Sequence, residues 1–472
     1  AAFVELERRF RAEQPYDDGE LRVVRESAAR ALARLATTAD PGVLREVARL
    51  DPLFPAHAAS RIVRRRSLRK TGRDDAVDLL RALAAAPDAP PIRVAAVFPE
   101  PTPYRAPLLD RIAALSEIDL TVVYAAGTVA GRTWRVEPQH HAVFLRGVRV
   151  PGAERVLHHD YPLTPGVVPA LEEVRPDVVV VSGWSTFAAQ AAIAWCRLRG
   201  VPYVLVVESH DEGPRAGWRR TVKDTVVPPV VANASGVLVT GTLARSSMIA
   251  RGASAERVRV FANTVDVEEF GARASRLAEQ RADLRQTLGA EPDDVAVLSV
   301  ARLAPEKGLD VLLRAVAEAG DERLLLVVAG EGGERSRLEA LAHDLGVRLV
   351  LTGDVEWEQI VELYVSADVF ALLSEREPWA VVVNEAAACG LPLVLSDRVG
   401  AAHDLLRDGE NGTLVAAGDV ETTARALRDL AGDSALRHEQ GARSREVAAD
   451  WGYGPSVDGF LAAVREAAGD RS

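Results

Sequence analysis

Lysine, cysteine and methionine are nearly missing from this chain: of its 57 basic residues only Lys70, Lys223 and Lys307 are lysine, and it holds two cysteines and one methionine. Each scarcity excludes something. Cys196 and Cys389 lie far apart in Ala-rich apolar surroundings and read as small buried hydrophobes, so neither a disulfide framework nor a Cys-based metal site is available. A net charge of −11 argues against a general nucleic-acid binder. No apolar run approaches the ~18 residues of a membrane-spanning helix. The opening residues Ala1-Ala2-Phe3-Val4-Glu5 show no signal-peptide pattern, which places the expected location in the cytoplasm. The chain does not begin with Met and is read as a piece or a trimmed form. Neither G-x-x-x-x-G-K-[ST] nor Asp-x-Asp occurs, so a P-loop NTPase is excluded and a diphosphate held through carboxylate-bound metal is not expected. The Arg-, Ala- and Val-rich usage points to a high-GC bacterial source, and it makes any lysine in a suggestive place informative.

What is present is 472 residues, 48% hydrophobic with 5% aromatics, the profile of an α/β protein of two or three domains. Residues 1–88 carry helical periodicity with charges of both signs and no strand-like runs. Within them Arg64, Arg65, Arg66, Arg69 and Lys70 form a basic cluster, either a solvated helix face or a contact for an anionic membrane surface or lipid-linked acceptor. Residues 86–91 are a Pro-rich linker. Apolar runs then alternate with helical patterns: strands are predicted at 92–98, 120–124, 178–182, 203–207 and 236–240, and helices at 108–115, 167–174 and 188–199. After a charged helix at 274–288 the cycle restarts with strands at 295–300, 324–329 and 349–352. Continuous apolar strands separated by helices mean parallel sheets covered on both faces, here two doubly wound domains in succession. Ligands of such folds bind beyond the carboxyl ends of the strands, and the cleft between two domains is the natural site.

The loops after the strands carry the chemistry. Glu377 and Glu385 stand eight positions apart, at most ~12 Å along a helix, the reach of a nucleotide-sugar. Between them a helix N-terminus would offer unpaired N–H groups to a diphosphate, and a carboxylate at each end could accept from vicinal hydroxyls. The bland alternative is a solvated first turn, against which Val381-Val382-Val383 argues for packing. Arg302 and Lys307 follow the first strand of the second domain and suit phosphate oxygens, although Pro305 and Gly308 would also make a charged turn. Gly330-Glu331-Gly332-Gly333 is not a dinucleotide fingerprint, since Arg335 takes the third glycine's place.

The ordered series Ser299 to Arg302, Pro305 to Gly308, Val328 to Gly332, Thr352 to Val355 and Leu373 to Gly390 resembles the retaining GT-B glycosyltransferases of family GT4. The likeness is close over the second domain, looser over the first, and is expected to leave out residues 1–90. It implies a GT-B fold: two Rossmann-like doubly wound domains facing a cleft, with the acceptor domain at 91–266, the donor domain at 267–450 and a terminal helix, 451–472, returning to the first. It further implies that Arg302 and Lys307 bind the donor diphosphate, Glu385 the ribose and Glu377 the sugar hydroxyls, with Val355 at the base. Gly330, Glu331, Ala380 and Val381 fall in the donor site. Trp379-Ala380 replaces the family's Phe-Gly and could reshape the sugar pocket. His210 stands where relatives place a histidine that orients hydroxyls, or is a loop histidine bonded to its neighbours; Tyr104, Arg105, Gly183 and Trp184 are acceptor-cleft candidates.

The activity so implied is metal-free transfer, with retention, from a UDP- or GDP-linked sugar to a glycan, lipid-linked or small-molecule acceptor. A catalytically silent GT-B module that binds a partner is the rival from another class, and a nucleotide-sugar epimerase or a phosphorylase the rivals among enzymes.

Overall fold

The computed structural model describes residues 90–127, 136–148, 161–208, 225, 227–356 and 359–469. The helical reading of residues 1–88, the basic cluster from Arg64 to Lys70, and His210 lie outside the described residues.

Seven parallel strands form the first sheet: β1 (Ile92–Phe98), β2 (Ile118–Tyr124), β3 (His141–Phe144), β4 (Val178–Ser182), β5 (Tyr203–Val207), β6 (Gly236–Val239) and β7 (Val258–Val260), in the order β3-β2-β1-β4-β5-β6-β7. Their interiors are runs of Val, Leu and Ala buried on both faces, as parallel strands require. One face is covered by helices α1 (Ala106–Ala113) and, from the far end of the chain, α14 (Tyr453–Gly469). The other is covered by α2 (Val167–Val174), α3 (Phe187–Arg199) and α4 (Thr242–Ala250). Helix α3 starts where the Thr186 hydroxyl accepts from Ala189 N–H at 3.2 Å, and stops at Gly200, whose φ of 67° needs no Cβ. The half-exposed edge strand β3 was not predicted, because its four residues carry neither alternation nor a long apolar run.

The second sheet has six parallel strands: β8 (Val295–Val300), β9 (Leu324–Ala329), β10 (Leu349–Gly353), β11 (Val369–Leu372), β12 (Leu393–Ser396) and β13 (Gly412–Val415), in the order β10-β9-β8-β11-β12-β13. Helices α7 (Leu309–Ala319), α8 (Arg335–Leu345) and α12 (Val420–Gly432) pack on one face. On the other lie α5 (Val267–Leu277), α9 (Ile360–Ser366), α10 (Val381–Cys389) and α13 (Ser434–Ala449). The charged helix expected over 274–288 is divided: α5 ends at Leu277, and α6 (Arg281–Thr287) is held separately by Arg281 and Arg285, which pair with Asp368.

The terminal helix α14 belongs to the core of the first sheet. Phe460 packs against Phe261 with ring centroids 5.6 Å apart and the planes tilted by 41°, Val464 is fully buried, and Arg465 pairs with Glu117 at 2.5 Å. A side chain of Phe460's size, fully buried, contributes about 2 to 3 kcal/mol of transfer free energy.

In both sheets the order of strand addition reverses, in the first between β1 and β4 and in the second between β8 and β11. At such a switch point the loops leaving adjacent strands diverge and open a crevice.

Candidate active site

In the second domain the crevice lies between residues 301–308, which leave β8, and residues 373–380, which leave β11. The two loops touch: Glu375 N–H donates to the Glu306 carbonyl at 2.9 Å, and a Cβ on Gly308 would run into the Leu373 carbonyl. Gly308 also turns at φ 64° to start α7, so glycine is demanded twice over. The Gly-rich turn after β9 has a similar cause, since a Cβ on Gly330 would meet the Ala301 carbonyl and one on Gly332 the Leu303 carbonyl. Its glycines let loops approach.

Within this crevice Lys307 Nζ meets the Glu377 carboxylate; both side chains are about five-sixths buried, 15% and 16% exposed. Arg302 occupies the same loop with its side chain 71% exposed and its guanidinium on Glu306 at 3.0 Å. Glu377 is fixed from behind, its N–H donating to Arg398 O at 3.1 Å and its carbonyl accepting from Gly400 N–H at 2.9 Å. Ala380, the residue before α10, has φ 80°, and no side chain caps the helix; within its first turn Val383 N–H donates to the Ala380 carbonyl at 3.1 Å. Of the packed valines, Val383 is fully buried and Val381 and Val382 are half-buried.

One turn further along α10, Glu385 is 5% exposed and accepts from Tyr364 Oη at 2.6 Å. Burial pushes its carboxyl up to about 7, a rise the Tyr364 hydrogen bond restrains. The Tyr364 hydroxyl is itself raised well above the ordinary range by burial and by the Glu385 charge. Val355 follows β10, half-buried against the core, and Glu331 is held at the surface by Arg335 at 3.0 Å.

Two candidates sit differently from the expectation. Trp379 is 4% exposed and faces the first domain: its Nε1–H donates to Asn384 Oδ1 at 3.0 Å and its ring lies 5.4 Å from that of Trp451. Arg105 is 3% exposed and works beneath the cleft floor, its guanidinium donating to Ala262 O at 3.2 Å, to Asn263 Oδ1 and to Glu208 Oε1 at 3.4 Å, with Cζ 4.2 Å over the Phe261 ring. Burial draws its pKa down and Glu208 opposes the change. The half-buried Tyr104 hydroxyl is raised by burial and by the Glu208 charge. Gly183, at φ 65°, has open space above it, and the Trp184 carbonyl accepts from Gln190 at 3.2 Å.

Three residues of this arrangement were missed by sequence reasoning. Glu208 directly follows β5 with its side chain 39% exposed, Tyr364 holds Glu385, and Asp404 in the short helix α11 (Ala402–Leu405) reaches the first domain. Only Glu208, directly at a predicted strand end, carried a local signal. Among the described residues no group of three or more His, Cys, Asp or Glu is placed to hold a metal ion, and no helix is long and apolar enough to cross a membrane.

Two doubly wound parallel sheets facing a cleft are the architecture of GT-B glycosyltransferases. Residues 280–447 match the family described as glycosyl transferases group 1, and residues 7–264 match the glycosyl transferase 4-like domain; the chain belongs to this family. The second match reaches back to residue 7, so the likeness does not leave out residues 1–90 as expected. D-inositol 3-phosphate glycosyltransferase of Acidothermus cellulolyticus is 32% identical over 358 residues, 71% of this chain and 73% of that protein. The protein of the same name from Xylanimonas cellulosilytica is 32% identical over 238 residues, 49% of this chain, and the match spans only 57% of its length. Among solved structures, HepE of Anabaena in complex with UDP superposes with a TM-score of 0.60 at 19% identity, covering 79% of this chain and 98% of that one.

Proposed function

We propose that this chain transfers a sugar, with retention and without a metal, from a nucleotide-diphospho-sugar to an acceptor hydroxyl. The observation that carries the reading is the Lys307 and Glu377 pair at the switch point, beside the uncapped start of α10. A diphosphate seated there neutralises Lys307 in place of Glu377 and takes N–H groups at the start of α10, which no side chain caps. Glu377, released from Lys307, accepts from hydroxyls of the sugar, and Glu385 accepts from the vicinal hydroxyls of the ribose. Arg302, exposed and paired with Glu306 on the same loop as Lys307, swings to the phosphate.

The C1–O bond to the diphosphate breaks with its electron pair left on the phosphate oxygen, where Lys307, Arg302 and the helix terminus stabilise the growing charge. The acceptor oxygen bonds C1 from the same face, and its proton passes to that phosphate oxygen. The names of the relatives and the UDP in the HepE complex support a nucleotide-sugar donor, and the family supports retention.

A panel of UDP- and GDP-linked sugars, each with and without polyol and glycan acceptors, tests the reading by release of nucleoside diphosphate and the anomeric configuration of the product. Acceptor-dependent release with retained configuration is expected. Donor consumed without acceptor and without free nucleotide would assign an epimerase, and turnover dependent on inorganic phosphate a phosphorylase.

A further inference from the structure

Helix α4 begins without a cap of its own. Its N-cap residue is Gly241, which has no side chain to offer, and Thr242 opens the first turn. The cap comes from the other domain: Asp404, 4% exposed on α11, accepts from Thr242 N–H through Oδ2 at 2.9 Å and from the Thr242 hydroxyl through Oδ1 at 2.5 Å. An N-cap carboxylate satisfies orphan donors and meets the positive end of the helix. Here that ordinary interaction spans two domains.

Gly241 also explains why the domains can approach so closely. A Cβ at this position would run into both Asp404 Oδ2 and the six-membered ring of Trp379. Trp379 therefore wedges into a notch that only glycine leaves open. The same indole donates to Asn384, whose Nδ2 donates to Thr264 Oγ1 at 3.2 Å, and the Thr264 hydroxyl donates to Trp451 O at 2.5 Å. Thr264 and Trp451 lie on the two segments by which the chain crosses between the sheets.

Trp379 stands two residues beyond Glu377 and one before Ala380. The segment that holds the sugar and diphosphate contacts is thus also the segment on which the first domain docks. We propose that Asp404, with the Gly241 notch, is a positioning element for transfer: it sets the strand ends of the first domain in register with Glu377 and Lys307, so that a bound acceptor faces the donor carbon.

The kinetic and nucleotide-binding parts rest on the function proposed above; the scattering part does not. In the full chain, Asp404→Ala and Gly241→Ala should each lower kcat by about tenfold or more, because turnover needs both domains aligned while donor binding is made mainly by the second. The affinity for nucleoside diphosphate, titrated directly, should stay within about threefold of wild type. Small-angle scattering should show a larger radius of gyration for Asp404→Ala. Asp404→Asn keeps an oxygen for the Thr242 N–H and should recover most of the loss, a rescue that removal of bulk alone would not predict. Should an alanine variant fail to fold, Thr242→Val, which keeps shape and loses only the hydroxyl, carries the test with the same split between kcat and affinity. Unchanged kcat and scattering in Asp404→Ala would overturn the proposal, as would a loss of nucleotide affinity equal to the loss of kcat. If the wild-type chain transfers no sugar, the earlier reading fails, and the scattering of Asp404→Ala alone decides this one.

Discussion

Glu385 is a carboxylate kept at a cost, and replacing it by glutamine should stabilise the unliganded protein while weakening it as a binder. Burial lifts its pKa from 4.5 to about 7 in a side chain only 5% exposed. At 1.36 kcal/mol per pH unit this difference is worth about 3 kcal/mol. The sign follows from proton counts. Between pH 4.5 and about 7 the folded protein keeps a proton that the unfolded chain has released, so stability falls as pH rises through that window and stays lower above it. Glu385→Gln is neutral throughout, keeps an oxygen for Tyr364, and loses the slope. An amide N–H₂ without a partner takes back about 1 kcal/mol, which leaves a net gain of about 2 kcal/mol at pH 8. For a cooperative unit the size of the second domain that is about 4 to 8 °C in Tm. Thermal melts of both proteins at pH 5, 6, 7 and 8 without ligand read the effect, and calorimetric titration with nucleoside diphosphate should show about tenfold weaker binding by the variant. A variant that melts below wild type at pH 8 and binds nucleotide equally well would refute both the burial argument and the ribose assignment.

Ala380 holds φ 80°, a region that costs a residue with a Cβ about 1 kcal/mol, so Ala380→Gly should raise or hold the melting temperature despite its freer unfolded chain, and a drop of several degrees would show the strain is absent. Lys307→Ala and Arg302→Ala should each lower turnover at least about tenfold, or ~1.4 kcal/mol; full activity in both would remove the assignment of the leaving-group site. A chelator should leave transfer intact, and activity abolished by EDTA and restored by magnesium would contradict the metal-free account of the diphosphate.

The two sheets were legible because parallel strands buried on both faces must be apolar along their whole length, and the runs at Val178, Leu324 and Val295 are of that kind. The crevice was legible through Lys307, conspicuous where lysine is scarce, and through the spacing of Glu377 and Glu385. What stayed hidden was tertiary. Arg105 reads as a cleft residue from its place after β1, yet two backbone carbonyls and Asn263, more than 150 positions away, draw it under the floor. Trp379 turns toward the first domain because Gly241 leaves a notch there, and nothing near either residue announces the other. Asp404 and Thr242 are 162 positions apart, and only the folded chain brings a carboxylate to a helix that lacks its own cap.

The central claim is that the crevice between residues 301–308 and 373–380 takes the diphosphate of a nucleotide-sugar. Calorimetric titration of the full chain with UDP and with GDP, repeated on Lys307→Ala, tests it most directly. One of the two nucleotides should bind the wild-type chain with a single site and bind Lys307→Ala about tenfold or more weakly. Failure of both to bind, or binding indifferent to Lys307, would contradict the account.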